Sequence, residues 1–326
     1  MRPVGLGAKR PRIVAATITS PPGVLGENAP LLPSVSWDVT ASMRFLHCSD
    51  VHITEDYFAL PLRKLGWRRW VALVELTAGG RAKAYRNAQA TLSAIARDAG
   101  THGVDHFILS GDLTAYALEG EFRAARAALG PLAPTPARCT VIPGNHDVFT
   151  PGAARSGRFA RHFGDLLESD LPDYRREGAF PFVRLVGEGA AVVGLCSARP
   201  LPTPGLSYGS VGQAQLEGLA ALLKDARLDG RAILVVVHHA PKSPANHADG
   251  WHHGLHDADA LLKLLPGPRF AVLHGHIHQR YHHPATQDRP HLFGAGSSTQ
   301  AGKEGYWLIE VQDGLVVGGT KHMPAL

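Results

Sequence analysis

Five stretches of this 326-residue chain end an apolar run in side chains that can hold a metal ion. Residues 45–52 (FLHCSDVH) deliver Asp50 and His52, and residues 107–112 (FILSGD) deliver Asp112. Residues 141–147 (VIPGNHD) deliver Asn145, His146 and Asp147. Residues 233–239 (ILVVVHH) end in His238 and His239, and residues 270–278 (FAVLHGHIH) in His276 and His278. Carboxylate oxygens, imidazole nitrogens and one amide oxygen, without thiolate, suit Mn, Fe, Zn or Ni in an octahedral-like site better than a structural zinc site. Donors one residue apart, as in Asp50/His52 and His276/His278, would face the same way along an extended strand. Two cations about 3.5–4 Å apart, bridged by a carboxylate, form the usual clamp for hydrolysing phosphate esters. A bridging hydroxide attacks phosphorus while both cations neutralise the charge on the equatorial oxygens. Asp112 is the natural bridge.

Each stretch alone has a bland alternative. An Asp after Gly is commonly a turn or helix cap, and a single His on an apolar strand is commonly a hydrogen-bonded core residue. Five strand ends of matching chemistry, in the order Asp-x-His, Gly-Asp, Gly-Asn-His-Asp, His-His, Gly-His-x-His, do not arise from packing alone. Because the donors run from Asp50 to His278, a shared site requires one domain over that whole stretch.

The elements that must position them can be read from periodicity. Residues 84–99 place Ala88, Leu92, Ile95, Ala96 and Ala99 on one helical face, with Gly100 as a stop. Residues 104–110 and 138–142 are expected strands on either side of a helix over 121–129, so the first half alternates in the α/β manner. Residues 182–186 and 190–196 form an expected hairpin around Gly187. Ser210 and Gln213 have capping-box spacing and open a helix that buries Leu216, Leu219, Ala220 and Leu223. Asp257 is placed to cap a helix running to Leu265, and residues 291–296, 306–311 and 315–317 are expected closing strands.

Residues 1–42 are rich in Pro, Gly, Ala and Ser and lack periodicity, so they read as a disordered leader, or Met43 is the true start. The chain from 43 to 326 reads as one domain. Residues 57–83 form a basic amphipathic insertion with Phe58, Trp67 and Trp70 among Arg63, Lys64, Arg68 and Arg69. With 44% hydrophobic and 19% charged residues the composition is that of an ordinary soluble protein. No apolar run approaches the roughly 20 residues needed to span a bilayer. The net charge of +5 suits an anionic substrate but is too diffuse for a nucleic-acid groove. Cys48, Cys139 and Cys196 lack metal-type spacing and read as buried free thiols of a reducing compartment, which points to a cytoplasmic location or one peripheral to the inner membrane.

These five motifs, spread from about Met43 to the C-terminus, resemble those of the calcineurin-like metallophosphoesterases. That resemblance implies a four-layer αββα sandwich of two mixed sheets flanked by helices. It implies one metal on Asp50, His52 and His278, a second on Asn145, His238 and His276, and Asp112 between them, the metals being Mn, Fe or Zn. His146 would contact the phosphate or protonate the leaving group, with Asp147 orienting it, and His239 would lie outside the ligand set. Ala240 stands where many relatives have Pro, which removes no ligand.

For the substrate, three readings stand. The motif set favours a phosphodiesterase acting on a small diester such as a cyclic nucleotide or glycerophosphodiester. The 57–83 insertion is similar to that of calcineurin-like UDP-diacylglucosamine hydrolases, which would make the substrate a lipid-linked pyrophosphate. A catalytically silent binding module of the same fold is the third, and the complete ligand set speaks against it. The histidine-rich loop of His247, His252, His253 and His256 is either a solvated rim or a recognition surface. If the insertion is a lipid lid, deleting residues 57–76 should abolish turnover of detergent-dispersed UDP-diacylglucosamine while sparing a small chromogenic diester. Equal loss on both substrates would remove the lid role.

Overall fold

A computed structural model describes residues 42–55, 81–148, 150–200, 203 and 205–325. The expected leader and almost all of the 57–83 insertion lie outside the described residues. The strands are β1 (Met43–Cys48), β2 (His106–Leu109), β3 (Cys139–Val141), β4 (Phe182–Val186), β5 (Ala190–Gly194), β6 (Ala232–Val236), β7 (Phe270–His274), β8 (Arg280–His283), β9 (His291–Ala295), β10 (Tyr306–Gln312) and β11 (Leu315–His322). The helices are α1 (Arg81–Ala84), α2 (Ala88–Thr101), α3 (Glu119–Ala128), α4 (Pro151–Arg155), α5 (Arg158–Phe163), α6 (Gln213–Leu222) and α7 (Ala258–Lys263).

Strands β11-β10-β1-β2-β3 make one sheet and β4-β5-β6-β7-β9-β8 the other. Both are mixed: β1, β2 and β3 run parallel, as do β5, β6, β7 and β9, while β10, β11, β4 and β8 join antiparallel. Helices flank both sheets, giving the expected αββα sandwich. The sequence of β6 shows why. Ala232, Leu234 and Val236 enter a large apolar cluster that also contains Phe45, Phe107 and Phe293, whereas Ile233 and Val235 join Leu216, Leu219 and Leu261 of α6 and α7. A strand covered on both faces reads as a continuous apolar run with period-2 partition, and each such Val, Leu or Ile contributes about 1.5–3 kcal/mol on burial. Helix α2 buries Ala88, Leu92, Ile95, Ala96 and Ala99 as its spacing predicts. Among the described residues no helix is long and apolar enough to cross a membrane.

Four local readings change. Strand β8 has no apolar alternation; its four residues are all half-buried on a sheet edge, so nothing in the pattern marked it. Strand β11 continues past Val317 to His322, held by antiparallel pairing to β10. At α6 the buried residue is Leu222 rather than Ala220 or Leu223, and the predicted capping box does not form. Asp257 precedes α7 but does not cap it. Its carboxylate instead accepts from Val211 N (3.0 Å), Gly212 N (2.7 Å) and Ser210 Oγ (2.9 Å) at the entry to α6. A charged acceptor with two oxygens satisfies three donors at once, which a neutral local hydroxyl cannot do. Asp257→Ala should therefore lower stability by about 2 kcal/mol, seen as a reduced urea midpoint, while leaving metal content unchanged.

Candidate metal centre

All the predicted donors sit just past the carboxyl ends of parallel strands: Asp50 and His52 after β1, Asp112 after β2, Asn145 and His146 after β3, His238 after β6, His276 and His278 after β7. Ligands of open α/β sheets collect at this end. The paired donors are not extended, as the one-residue spacing had implied. Asp50 (φ 52°), His52 (φ 51°), Asp112 (φ 53°), His276 (φ 73°) and His278 (φ 58°) are all left-handed. Each such non-glycine residue costs roughly 1 kcal/mol or more, and the bend is what turns its side chain inward.

The side chains meet in a small volume. His278 Nε2 lies 3.2 Å from Asp50 Oδ1 and 3.0 Å from His52 Nε2. Asp112 Oδ2 is 3.8 Å from His52 Nε2 and 3.4 Å from His238 Nε2. Asn145 Oδ1 lies 3.1 Å from His238 Nε2 and 3.0 Å from His276 Nδ1. Asp50, His52 and His278 form one potential metal-holding group; Asp50, Asp112 and His238 form another, and His52, Asp112 and His146 a third. Asp112 thus stands between the two halves.

The outer nitrogens of two rings show which atoms are offered inward. His238 Nδ1 donates to Ser110 O (2.9 Å), which leaves Nε2 for the centre. His276 Nε2 donates to His253 O (3.0 Å), which leaves Nδ1. A carbonyl that fixes the tautomer of an imidazole is the usual outer partner of a metal-bound histidine. The electrostatics differ between the two rings: without a cation His238 holds a proton beside Asp112, which a metal ion would replace, whereas His276 is neutral. Burial works against a charged His238, yet the Asp112 carboxylate overcomes it and holds the ring at about 9. His276 is pushed well below the ordinary imidazole value by burial and by the His239 and His238 rings, so it stays a neutral donor. Facing acceptor atoms at 3 Å are brought together favourably by a shared cation, and the residues present fit a pair of metal ions.

Backbone and hydroxyl contacts hold these loops. Val51 N and His52 N donate to Asp112 O, and Ile53 N to Leu113 O. Asp147 is 1% exposed and accepts from Leu113 N (3.2 Å), Thr114 N (3.0 Å), Thr114 Oγ1 (2.9 Å) and Gly144 N (2.9 Å), so it ties the Asp112 loop to the Asn145 loop. Burial and the nearby Asp112 push its carboxyl up to about 7 against the pull of those donors. His146 N donates to Asp112 Oδ1 (2.8 Å) and its Nδ1 to Ala115 O (2.7 Å), so the Ala115 carbonyl holds the ring nitrogen for which the sequence had suggested Asp147. His239 uses both ring nitrogens outside the donor set, on Ser197 Oγ and Ser207 O.

The model of the calcineurin-like phosphoesterase family matches residues 43–280. The chain belongs to this family. Among curated proteins none matches it. A dimetal phosphatase from Danio rerio shares the fold at 13% identity and a TM-score of 0.53, over 87% of this chain and 99% of that one. A purple acid phosphatase from yellow lupin (Lupinus luteus) seeds does so at 11% identity and 0.53, over 86% of this chain and 54% of that one. Identities this low establish the fold.

Within this calcineurin-like phosphoesterase, the residues missed by sequence reasoning lie after β9. Ser297 Oγ donates to Asp50 O (2.8 Å), Ser298 Oγ accepts from Ser49 N (3.0 Å), and Thr299 Oγ1 donates to Val51 O (2.6 Å). Tyr85 OH bonds Ser297 Oγ (2.8 Å) and reaches His278 Nδ1 (3.5 Å). The Gly-Ser-Ser-Thr run at the end of an apolar strand was the available signal, but hydroxyls are not metal-type donors and drew no notice. The glycines of the motifs are spacers. A Cβ on Gly144 would strike the Asp112 carboxylate and backbone, and one on Gly275 would strike Ser49 and Asp50. Gly144→Ala should therefore displace Asp112 and lose metal, seen as reduced bound Mn by elemental analysis in a chain that still folds by far-UV circular dichroism. Full metal content in that variant would show that Asp112 does not depend on this close approach.

Proposed function

We propose that the chain hydrolyses a phosphodiester. The observation that carries this reading is the convergence of Asp50, His52, Asp112, Asn145, His238, His276 and His278 into one largely buried cluster around Asp112, with the outer nitrogens of His238 and His276 already committed to carbonyls. A silent binding module has no need of such an arrangement. In this reading Asp50, His52 and His278 would hold one metal and Asn145, His238 and His276 the other, with Asp112 shared between them. A metal pair supplies Lewis acidity and a nucleophile at neutral pH when bound.

The chain's own residues do the rest. His146, with Nδ1 tied to Ala115 O, has Nε2 as the atom that can deliver a proton to the departing oxygen. Asp147 keeps the turn that carries His146 fixed to the Asp112 loop. Lys242, on the loop after His238, is engaged with Asp259 at 3.0 Å. Arg280, just past His278, donates to the carbonyls of Ala295, Glu304 and Lys303. Among the described residues these two cations, the ones that follow the donor motifs in the chain, are engaged with other groups, and a preference for diester over monoester is what the assay below decides.

Chelator-stripped protein given Mn should cleave bis-p-nitrophenyl phosphate in preference to p-nitrophenyl phosphate. Asp112→Ala should lose metal and turnover together, whereas His146→Ala should keep its metal and lose about 10²–10⁴ in rate. A fully active His146→Ala would exclude the proton-delivery role. Strong turnover of UDP-diacylglucosamine in the same series would move the substrate to the lipid-linked pyrophosphate.

A further inference from the structure

His238 and His276 have their outer nitrogens on main-chain carbonyls, those of Ser110 and His253. His278 is held differently. Its Nε2 faces Asp50 Oδ1 and His52 Nε2 inside the cluster, and its Nδ1 meets no carbonyl among the described residues but the hydroxyl of Tyr85, at 3.5 Å. Its side chain is also 29% exposed, whereas those of Asp50 and His52 are fully buried. A ring at the edge of a site depends more on the bond to its outer nitrogen for direction and tautomer.

Tyr85 is firmly placed to supply that bond. It is 3% exposed, its ring stands at 70° to that of His52 with centres 5.0 Å apart, and the carbonyl of its neighbour Ala84 accepts from Ala301 N (2.8 Å). Its hydroxyl lies 2.8 Å from Ser297 Oγ and 3.5 Å from Gln300 Oε1. The direction of these bonds follows from counting protons. Ser297 has one hydroxyl proton, which goes to Asp50 O (2.8 Å), so between Ser297 and Tyr85 the phenol must donate. Gln300 Oε1 can only accept. Both partners therefore draw the phenol proton away from His278, and Tyr85 turns an oxygen lone pair toward the ring. A lone pair at Nδ1 selects the Nδ1–H tautomer and leaves Nε2 for the centre, as the Ser110 carbonyl does for His238. The run from His278 through Tyr85 and Ser297 to Asp50 O thus begins and ends on donors of the same metal.

We propose that Tyr85 is a positioning residue for the metal of Asp50, His52 and His278, acting through Nδ1 of His278. This rests on the metal pair of the reading above and is indifferent to which ester is cleaved. Because Tyr85 touches donors assigned to one metal, removing its hydroxyl should weaken one ion and spare the other.

The test is Mn binding to the chelator-stripped full chain, followed by isothermal titration and by electron paramagnetic resonance, for the unmodified protein, Tyr85→Phe and Tyr306→Phe. Phe at position 85 keeps the ring against His52 and removes only the hydroxyl. Tyr306→Phe also removes a buried hydroxyl, one bonded to Asp98 and His102, and controls for general loosening. Tyr85→Phe should raise one of the two Mn dissociation constants about tenfold or more and leave the other within about twofold. At a Mn concentration that fills both sites of the unmodified protein, the signal of a spin-coupled pair should give way in this variant to that of an isolated ion. Tyr306→Phe should change neither constant. Unchanged constants in Tyr85→Phe, an equal rise in both, or the same loss in Tyr306→Phe overturns the positioning role. If the unmodified chain takes up fewer than two Mn, the metal-pair reading falls and the role of Tyr85 with it. If it takes up two and cleaves no diester, the substrate reading alone falls, and the constants still decide Tyr85.

Discussion

Two carboxylates, Asp50 and Asp112, are buried to 0% and 1% exposure and share the imidazoles around them. Like charges confined in a low-dielectric interior repel strongly unless cations or donors compensate. That confinement dictates much of the local structure. His276 N donates to both oxygens of Asp50 (3.1 and 2.9 Å), and His146 N to Asp112 Oδ1, so backbone dipoles take part of the charge before any metal is considered. The remaining lone pairs point into the cluster, where the imidazoles of His52, His238 and His278 meet them. A metal pair completes a balance that the protein has set up but does not close by itself.

The donors come from both sheets. Asp50, His52, Asp112 and Asn145 follow strands of the five-stranded sheet, and His238, His276 and His278 follow strands of the six-stranded one. The seam is sewn by backbone as well as by ligands. Ser298 N donates to Ser49 O, His238 Nδ1 to Ser110 O, and His276 N to Asp50, each bond crossing from one sheet to the other. Packing of Phe45 and Phe107 from one sheet with Leu234, Val236 and Phe293 from the other fixes the distance that those bonds need. Core packing and site geometry are therefore one problem here: a cavity opened between the sheets would be felt at the donors.

What was legible in the sequence follows from which physical signals are local. The apolar runs that become β1, β2, β6 and β7 announce themselves because a strand buried on both faces must be apolar throughout. The donors at their ends stand out because carboxylates and imidazoles do not follow such runs by chance five times. The left-handed bends were not legible, since a non-glycine residue with positive φ is held there by tertiary contacts and carries no mark of its own. Asp257 illustrates the same limit. Its position before α7 has the pattern of a cap, yet its partners are the Val211 and Gly212 amides more than forty residues away in the chain. The Ser297, Ser298 and Thr299 clamp was missed for a related reason: a hydroxyl's role is set by which carbonyl or amide it meets.

The outer contacts of His276 link the centre to a loop outside the donor set. Its Nε2–H is held by a main-chain carbonyl of His253, and that residue's ring lies on its face. A carbonyl can only accept, so it leaves Nδ1 of a neutral ring as the inward lone pair. The carbonyls on either side of it, those of Trp251, His252 and Gly254, also each accept a hydrogen bond, so the segment that carries the His253 carbonyl is anchored along its length. Anything that displaced this loop outward would also release the His276 tautomer.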